Sequence, residues 1–291
     1  MRKALGGPVM AIREILLPLV SYPVAIEEAA IKKSVSVAAH LNAQILAVSF
    51  EVDARPQDGT YTRPFSTRFT MEAPEHKPSV ENAEQMMAVL EAAAREAGVG
   101  YRKAITRCAP EDFSSYLAHC ARTIDLSLVP IRSYDEMHEK VVEGLIFQSG
   151  RPLLIFSEGG ADRLPNSFEH AAIAWDHSQQ ATRAVADAMP FLQGAKTVTV
   201  FTVTDKETPT ERESGEALVK HLAAHGITAG FEVIPKGGAS IGKVFEAYVQ
   251  KNAIDLLVMG AYRHSRLREF FMPGATYTVV GSPPCWVLMT H

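Results

Sequence analysis

The chain is poor in the residues that staple or anchor a protein. Its 291 residues include three cysteines, Cys108, Cys120 and Cys285, an odd number without metal-ligand spacing, which argues against a disulfide framework and a zinc site. They read as small buried hydrophobes in a reducing compartment. No run of about 18 apolar residues occurs, so no transmembrane helix is expected. The opening MRKALGGPVMAIREILLPLV lacks a continuous apolar stretch with a small-residue cleavage site, and Arg13 and Glu14 interrupt it, so export is not expected. Basic excess is missing too. A formal net charge of −4 provides no field to gather nucleic acid or anionic lipid, and neither partner is expected. There is no Gly-x-Ser-x-Gly elbow and no pair of catalytic acids. A hydrolase would have to rest on His264 and Ser265 alone, without a third orienting group. The expected location is the cytoplasm.

What the chain does have is alternation. Apolar residues make up 47%, and short apolar runs alternate with longer amphipathic ones. Strands are expected at Glu14–Leu17, Ile45–Phe50, Tyr101–Thr106, Leu126–Ile131 and Leu153–Phe156, with helices at Val24–His40, Val80–Ala97, Glu111–Thr123 and Glu136–Gln148 between them. The second half repeats the plan, with strands at Ala171–Trp175, Thr197–Thr202, Thr228–Ile234, Leu256–Met259 and Cys285–Met289. Its helices lie near Ser178–Phe191, Thr210–His225, Ser240–Asn252 and Thr276–Val280. Ile124-Asp-Leu-Ser-Leu-Val-Pro lines up with Ile254-Asp-Leu-Leu-Val-Met-Gly, and Arg151-Pro-Leu-Leu-Ile-Phe with Pro283-Pro-Cys-Trp-Val-Leu. A Pro-rich insertion, Asp53–Ser79, lengthens the first half and reads as a mobile surface loop or a lid. Glu158–Ser167, with Gly159, Gly160 and Pro165 among polar residues, reads as a linker. Two α/β domains follow, residues 1–158 and 168–291. Strands joined through helices imply parallel sheets covered on both faces, with ligands outside the carboxyl ends of the strands.

At that end of the second half, Ala174-Trp175-Asp176 closes the first strand. The Asp176 carboxylate can cap the following helix or accept a hydrogen bond from a ligand. The fourth strand runs through Met259 into Gly260, and a loop carrying Tyr262, Arg263, His264, Ser265, Arg266 and Arg268 leads to Gly274-Ala275-Thr276, where another helix opens. Cations beside a helix N-terminus favour a phosphate chain; the same cluster can also form a solvated surface or a subunit contact. The first half lacks both features, having no acid after Leu17-Pro18-Leu19-Val20 and no glycine loop after Val129-Pro130-Ile131-Arg132. Gly237-Gly238-Ala-Ser-Ile-Gly242 lacks the Lys-Ser/Thr of a P-loop and reads as a turn with a helix cap. His221 and His225, one helical turn apart without a supporting acid, read as a solvated face rather than a metal pair.

These residues resemble a tandem universal stress protein. The resemblance is carried by Ala174-Trp-Asp, by the run from Asp255 through Gly260 to Glu269, by Gly274-Ala-Thr and by the terminal Ser282-Pro-Pro-Cys-Trp-Val-Leu. It implies two Rossmann-like units of the adenine nucleotide alpha hydrolase type, each a five-stranded parallel sheet of order 3-2-1-4-5, paired through their last strands. In one chain that pairing is internal, a pseudo-dimer between Leu153–Phe156 and Cys285–Met289; two chains can still associate as a homodimer. The nucleotide-binding branch has the pattern Gly-x2-Gly-x9-Gly-(Ser/Thr) and an Asp after the first strand. Gly260 and Asp176 match it, whereas Arg263 replaces the second glycine and Pro273 the third. The implied ligand is ATP or AMP, which Mg can accompany, with no tightly bound metal. The nucleotide-binding set is then Ala174, Trp175, Asp176, Met259, Gly260, Tyr262, Arg263, His264, Ser265, Gly274, Ala275 and Thr276. The expected role is a stress-response regulatory or signalling module rather than an enzyme. Its rivals are a non-nucleotide interaction module of the same fold, acting through protein partners, and a slow ATP hydrolase.

Overall fold

A computed structural model describes residues 11–52, 76–160, 168–261 and 274–291. The first half contains β1 (Glu14–Leu19), α1 (Glu28–Leu41), β2 (Gln44–Val52), α2 (His76–Ala97), β3 (Tyr101–Cys108), α3 (Phe113–Ala121), β4 (Leu126–Ile131), α4 (Glu136–Gln148) and β5 (Leu153–Ser157). The second contains β6 (His170–Ala174), α5 (Gln179–Leu192), β7 (Thr197–Val203), α6 (Pro209–Ala224), β8 (Ala229–Ile234), α7 (Ile241–Asn252), β9 (Leu256–Gly260), α8 (Ala275–Gly281) and β10 (Trp286–Thr290). All ten expected strands and eight expected helices are present.

The strands form a single ten-stranded sheet in the order β3-β2-β1-β4-β5-β10-β9-β6-β7-β8. Each half therefore has the order 3-2-1-4-5. β5 and β10 meet antiparallel, with Val287 opposite Ile155 and Met289 opposite Leu153, and the other neighbours are parallel. The sequence explains the ranking of the strands. β4 (LSLVPI) and β10 (WVLMT) are buried throughout, as strands covered on both faces must be. The edge strands β3 and β8 alternate half-buried with exposed residues, and their charged side chains discourage further strand addition.

Two polar contacts recur in both halves. Asp125 Oδ2 accepts hydrogen bonds from the Arg13 and Glu14 N–H groups (2.8 and 3.1 Å), and Asp255 Oδ2 accepts one from the His170 N–H (2.9 Å). Ser49 Oγ donates to the Leu19 carbonyl (2.7 Å), as Thr202 Oγ1 donates to the Trp175 carbonyl (2.8 Å). Each central strand is thus tied at its amino end by the fourth strand and at its carboxyl end by the second.

The halves differ at the crevice between first and fourth strands. β6 and β9 stay paired from Ala171–Leu256 to Ala174–Met259, whereas β1 and β4 pair only at Ile15–Leu126 and Leu16–Ser127. Pro18 and Pro130 lie just beyond that point and have no N–H to donate to a ladder. α2 begins at His76, inside the insertion expected to be irregular to Ser79; Pro78 is tolerated because first-turn N–H groups have no helical partner. The remainder of that expected loop, from Asp53 to residue 75, lies outside the described residues. α1 starts at Glu28 rather than Val24, since Pro23 and the segment after it are not helical.

Candidate functional site

The carboxyl ends of β6 and β9 are adjacent, as the order 3-2-1-4-5 requires, with Ala174 beside Met259 and both buried. Beyond Ala174 the chain leaves the strand, so Trp175 is not its last residue. The Trp175 indole Nε1–H donates to Ser214 Oγ on α6 (3.0 Å), and its ring stacks on His177 with centroids 6.1 Å apart. This side chain is committed to α6.

Asp176 is exposed, and its Oδ1 accepts hydrogen bonds from the Ser178 N–H (3.0 Å) and Ser178 Oγ (2.6 Å). Ser178 is the residue that caps α5, accepting from the Ala181 N–H (3.0 Å). The carboxylate therefore supports the cap at one remove instead of forming it. Between them His177 adopts φ 63°, and its Nε2 is buried without a partner among the described residues. Sequence reasoning passed over His177; a histidine wedged between a strand end and a capping serine was the only available signal.

Gly260 closes β9 for a packing reason. A Cβ there would lie 2.5 Å from the Ala181 N and 2.8 Å from the Gln180 carbonyl carbon, so the first turn of α5 occupies the space a side chain would need. Next to it the Ala261 N–H donates to the Thr290 carbonyl (2.9 Å), and Thr290 Oγ1 donates to Asp187 Oδ2 on α5 (3.1 Å). Gly274 is the exposed N-cap of α8 with no side-chain cap, Ala275 is half-buried and Thr276 is buried. These three sit in the crossover from β9 to β10. Tyr262, Arg263, His264, Ser265 and Pro273 lie outside the described residues.

The other sequence motifs resolve simply. Gly237 and Gly238 have φ of 58° and 77° in a turn before α7, which Ser240 caps. His221 and His225 are exposed, their rings meeting edge to face at 4.8 Å. Among the described residues no group of three His, Cys, Asp or Glu side chains is arranged to hold a metal. Cys285 is buried as expected, but Cys108 and Cys120 are only half-buried. No helix among the described residues is long and apolar enough to cross a membrane.

The corresponding end of the first half holds a polar cluster. Glu158, the first residue of the expected linker Glu158–Ser167, is 2% exposed. Its N–H donates to the Ile131 carbonyl (2.8 Å), which fixes it at the end of β5. Its Oε1 accepts hydrogen bonds from the Glu27 N–H and from Arg132 Nη2 (3.0 Å), while Oε2 is buried without a partner among the described residues. Burial pushes this carboxyl up, against the opposing pull of the Glu27 N–H and the Arg132 guanidinium. Arg132 also donates to the Val24 and Ala25 carbonyls (3.2 and 2.7 Å). A single acid at the end of an apolar strand, followed by Gly159-Gly160, was the trace of this cluster in the sequence.

No protein-family model matches the chain, and no curated protein does. Among solved structures, a universal stress protein from Archaeoglobus fulgidus DSM 4304 superposes with a TM-score of 0.69 at 14% identity, covering 94% of this chain and 95% of that one. A universal stress protein from Pseudomonas aeruginosa UCBPP-PA14 gives 0.57 at 14% identity, covering 96% and 93%. The cytoplasmic domain of a prokaryotic cation chloride cotransporter gives 0.55 at 11% identity, covering 96% of each chain. Over nearly its whole length the chain thus has the α/β fold found in universal stress proteins.

Proposed function

We propose that the chain is a tandem protein of the universal stress type, with units at residues 1–158 and 168–291, acting in the cytoplasm as a stress-response regulatory module. In this reading the second unit binds an adenine nucleotide. The observation that carries it is the exposed Asp176 carboxylate at the end of β6, beside the end of β9 at the point where strand order reverses. That is where open α/β sheets take ligands. Asp176 would receive the adenosine end, and Gly274 to Thr276 the phosphates, with Arg263 as phosphate ligand and Mg as an accompanying ion. Slow hydrolysis through His264 or Ser265 is a lesser variant of the same site.

A second reading, an interaction module of the same fold that takes no nucleotide, is favoured by three contacts. Trp175 is bonded to α6, Asp176 holds the α5 cap, and Gly260 is filled by α5. Calorimetric titration of the purified chain with ATP and AMP, repeated on Asp176→Ala and Arg263→Gly, separates the two. Binding that Asp176→Ala weakens at least about tenfold, a loss of about 1.4 kcal/mol, supports the nucleotide site. Absence of heat with either nucleotide sinks it. Stronger binding by Arg263→Gly would make that arginine a plug; weaker binding would make it a ligand.

A further inference from the structure

We propose that the first half contains a latent oxyanion site which the chain fills with its own Glu158 carboxylate. The N-cap of α1, Glu27, directs its backbone N–H at Glu158 Oε1 and has no side-chain cap of its own. Among the described residues the first-turn N–H groups of Glu28 and Ala29 have no acceptor, and the Glu27 N–H sets the positive end of this 14-residue helix against the Glu158 carboxylate. On the other side Arg132 supplies a guanidinium whose Nη2 bonds the same oxygen. The guanidinium is aimed by the Val24 and Ala25 carbonyls.

The second, independent observation is the carboxylate itself. Glu158 is 2% exposed, and its Oε2 is buried with no partner among the described residues. An orphaned buried oxygen costs free energy, so Glu158 fits the donor set incompletely. A tetrahedral oxyanion offers more acceptors to the same N–H and guanidinium groups. The β1–β4 ladder stops after two residue pairs, with Pro18 and Pro130 next along the two strands, so the position a ligand would take is the one the Glu158 carboxylate now fills. The chemical class is a phosphate-sized oxyanion, free or as the terminal group of a larger ligand. The device is autoinhibitory, because a ligand can enter only when the Glu158 carboxylate leaves. This inference concerns the first half and stands whether or not the second binds nucleotide.

The test is titration of the full chain with inorganic phosphate, for wild type, Glu158→Ala and the double variant Glu158→Ala/Arg132→Ala. Glu158→Ala should gain a phosphate-binding event at least about tenfold tighter than anything wild type shows, and the double variant should lose it. A parallel measurement guards against poor folding: phosphate should raise the melting temperature of Glu158→Ala more than that of wild type or of Glu158→Gln, whose amide oxygen keeps the position filled. Addition of AMP instead of phosphate distinguishes a free anion from a nucleotide phosphate as occupant. A folded Glu158→Ala chain that binds phosphate no better than wild type, or equal gain in the double variant, overturns the proposal.

Discussion

At the start of α4 the His138 ring is 1% exposed, and its Nδ1 accepts the Arg132 N–H (3.3 Å). Burial lowers its pKa to about 4, outweighing the nearby Asp135 carboxylate, which alone would raise it. The unfolded chain titrates this group near its ordinary value of 6.5, so between those values the native state binds fewer protons. His138 therefore makes stability fall as pH drops from about 6.5 to about 4, by about 3 kcal/mol at most. Glu158 acts in the opposite sense: its raised carboxyl costs stability as pH rises above the ordinary carboxylate value of 4.5. Urea unfolding of wild type and His138→Asn between pH 7 and 4.5 should show a steeper acid-side loss for wild type. Parallel curves would refute the assignment. At this scale the sequence was informative where a residue's role is local. Asp125 and Asp255 stand out because identical Ile-Asp-Leu contexts precede the same strand. Glu158 was misread because its partner Glu27 is remote in the chain and meets it only through the sheet order; the packing of Gly260 against Gln180–Ala181 was hidden for the same reason.

Element boundaries were mostly legible, since amphipathic periodicity is written locally; β4 and α4 fall where the pattern places them. Helix-to-helix contacts were not. Gly144 lies where α4 crosses α3, and a Cβ there would be 2.6 Å from Ser114 Cβ. In the second half α7 crosses α8 with the roles exchanged, and a Cβ on Gly242 would be 2.4 Å from Thr278 Cβ. One crossing is thus closed by Ser against Gly and the other by Gly against Thr, an exchange invisible to a column-by-column comparison of the halves. Gly242→Ser should cost about 1–3 kcal/mol by overpacking. Adding Thr278→Gly recreates the first-half arrangement and should recover part of that loss, limited by the roughly 1 kcal/mol penalty of a helical glycine. Chemical denaturation of both variants checks this, and a double variant less stable than Gly242→Ser would exclude the swap.

In the whole molecule the last strands are spent on each other, because β5 and β10 pair within the chain. Any homodimer must therefore use another surface, and the remaining sheet edges, β3 and β8, carry charge. The seam is also a core. Phe156 and Trp286 stack across it at 4.2 Å, and Phe168 joins Trp286 at 5.9 Å and Phe191 at 5.2 Å. With one apolar cluster crossing the seam, loosening either half exposes the aromatic face of the other, and wild type should melt in a single calorimetric transition. Trp286→Ala removes the shared ring and should cost about 3–5 kcal/mol, separating the halves into two transitions. Trp286→Phe is the discriminating variant. The Trp286 Nε1 is buried without a partner among the described residues, so the indole N–H contributes a desolvation cost that phenylalanine avoids while retaining the stack on Phe156. It should therefore melt once, closer to wild type than to Trp286→Ala. Two transitions in wild type, or a Phe variant as damaged as the Ala variant, would mean that the halves are stabilised separately and that the aromatic seam does not couple them.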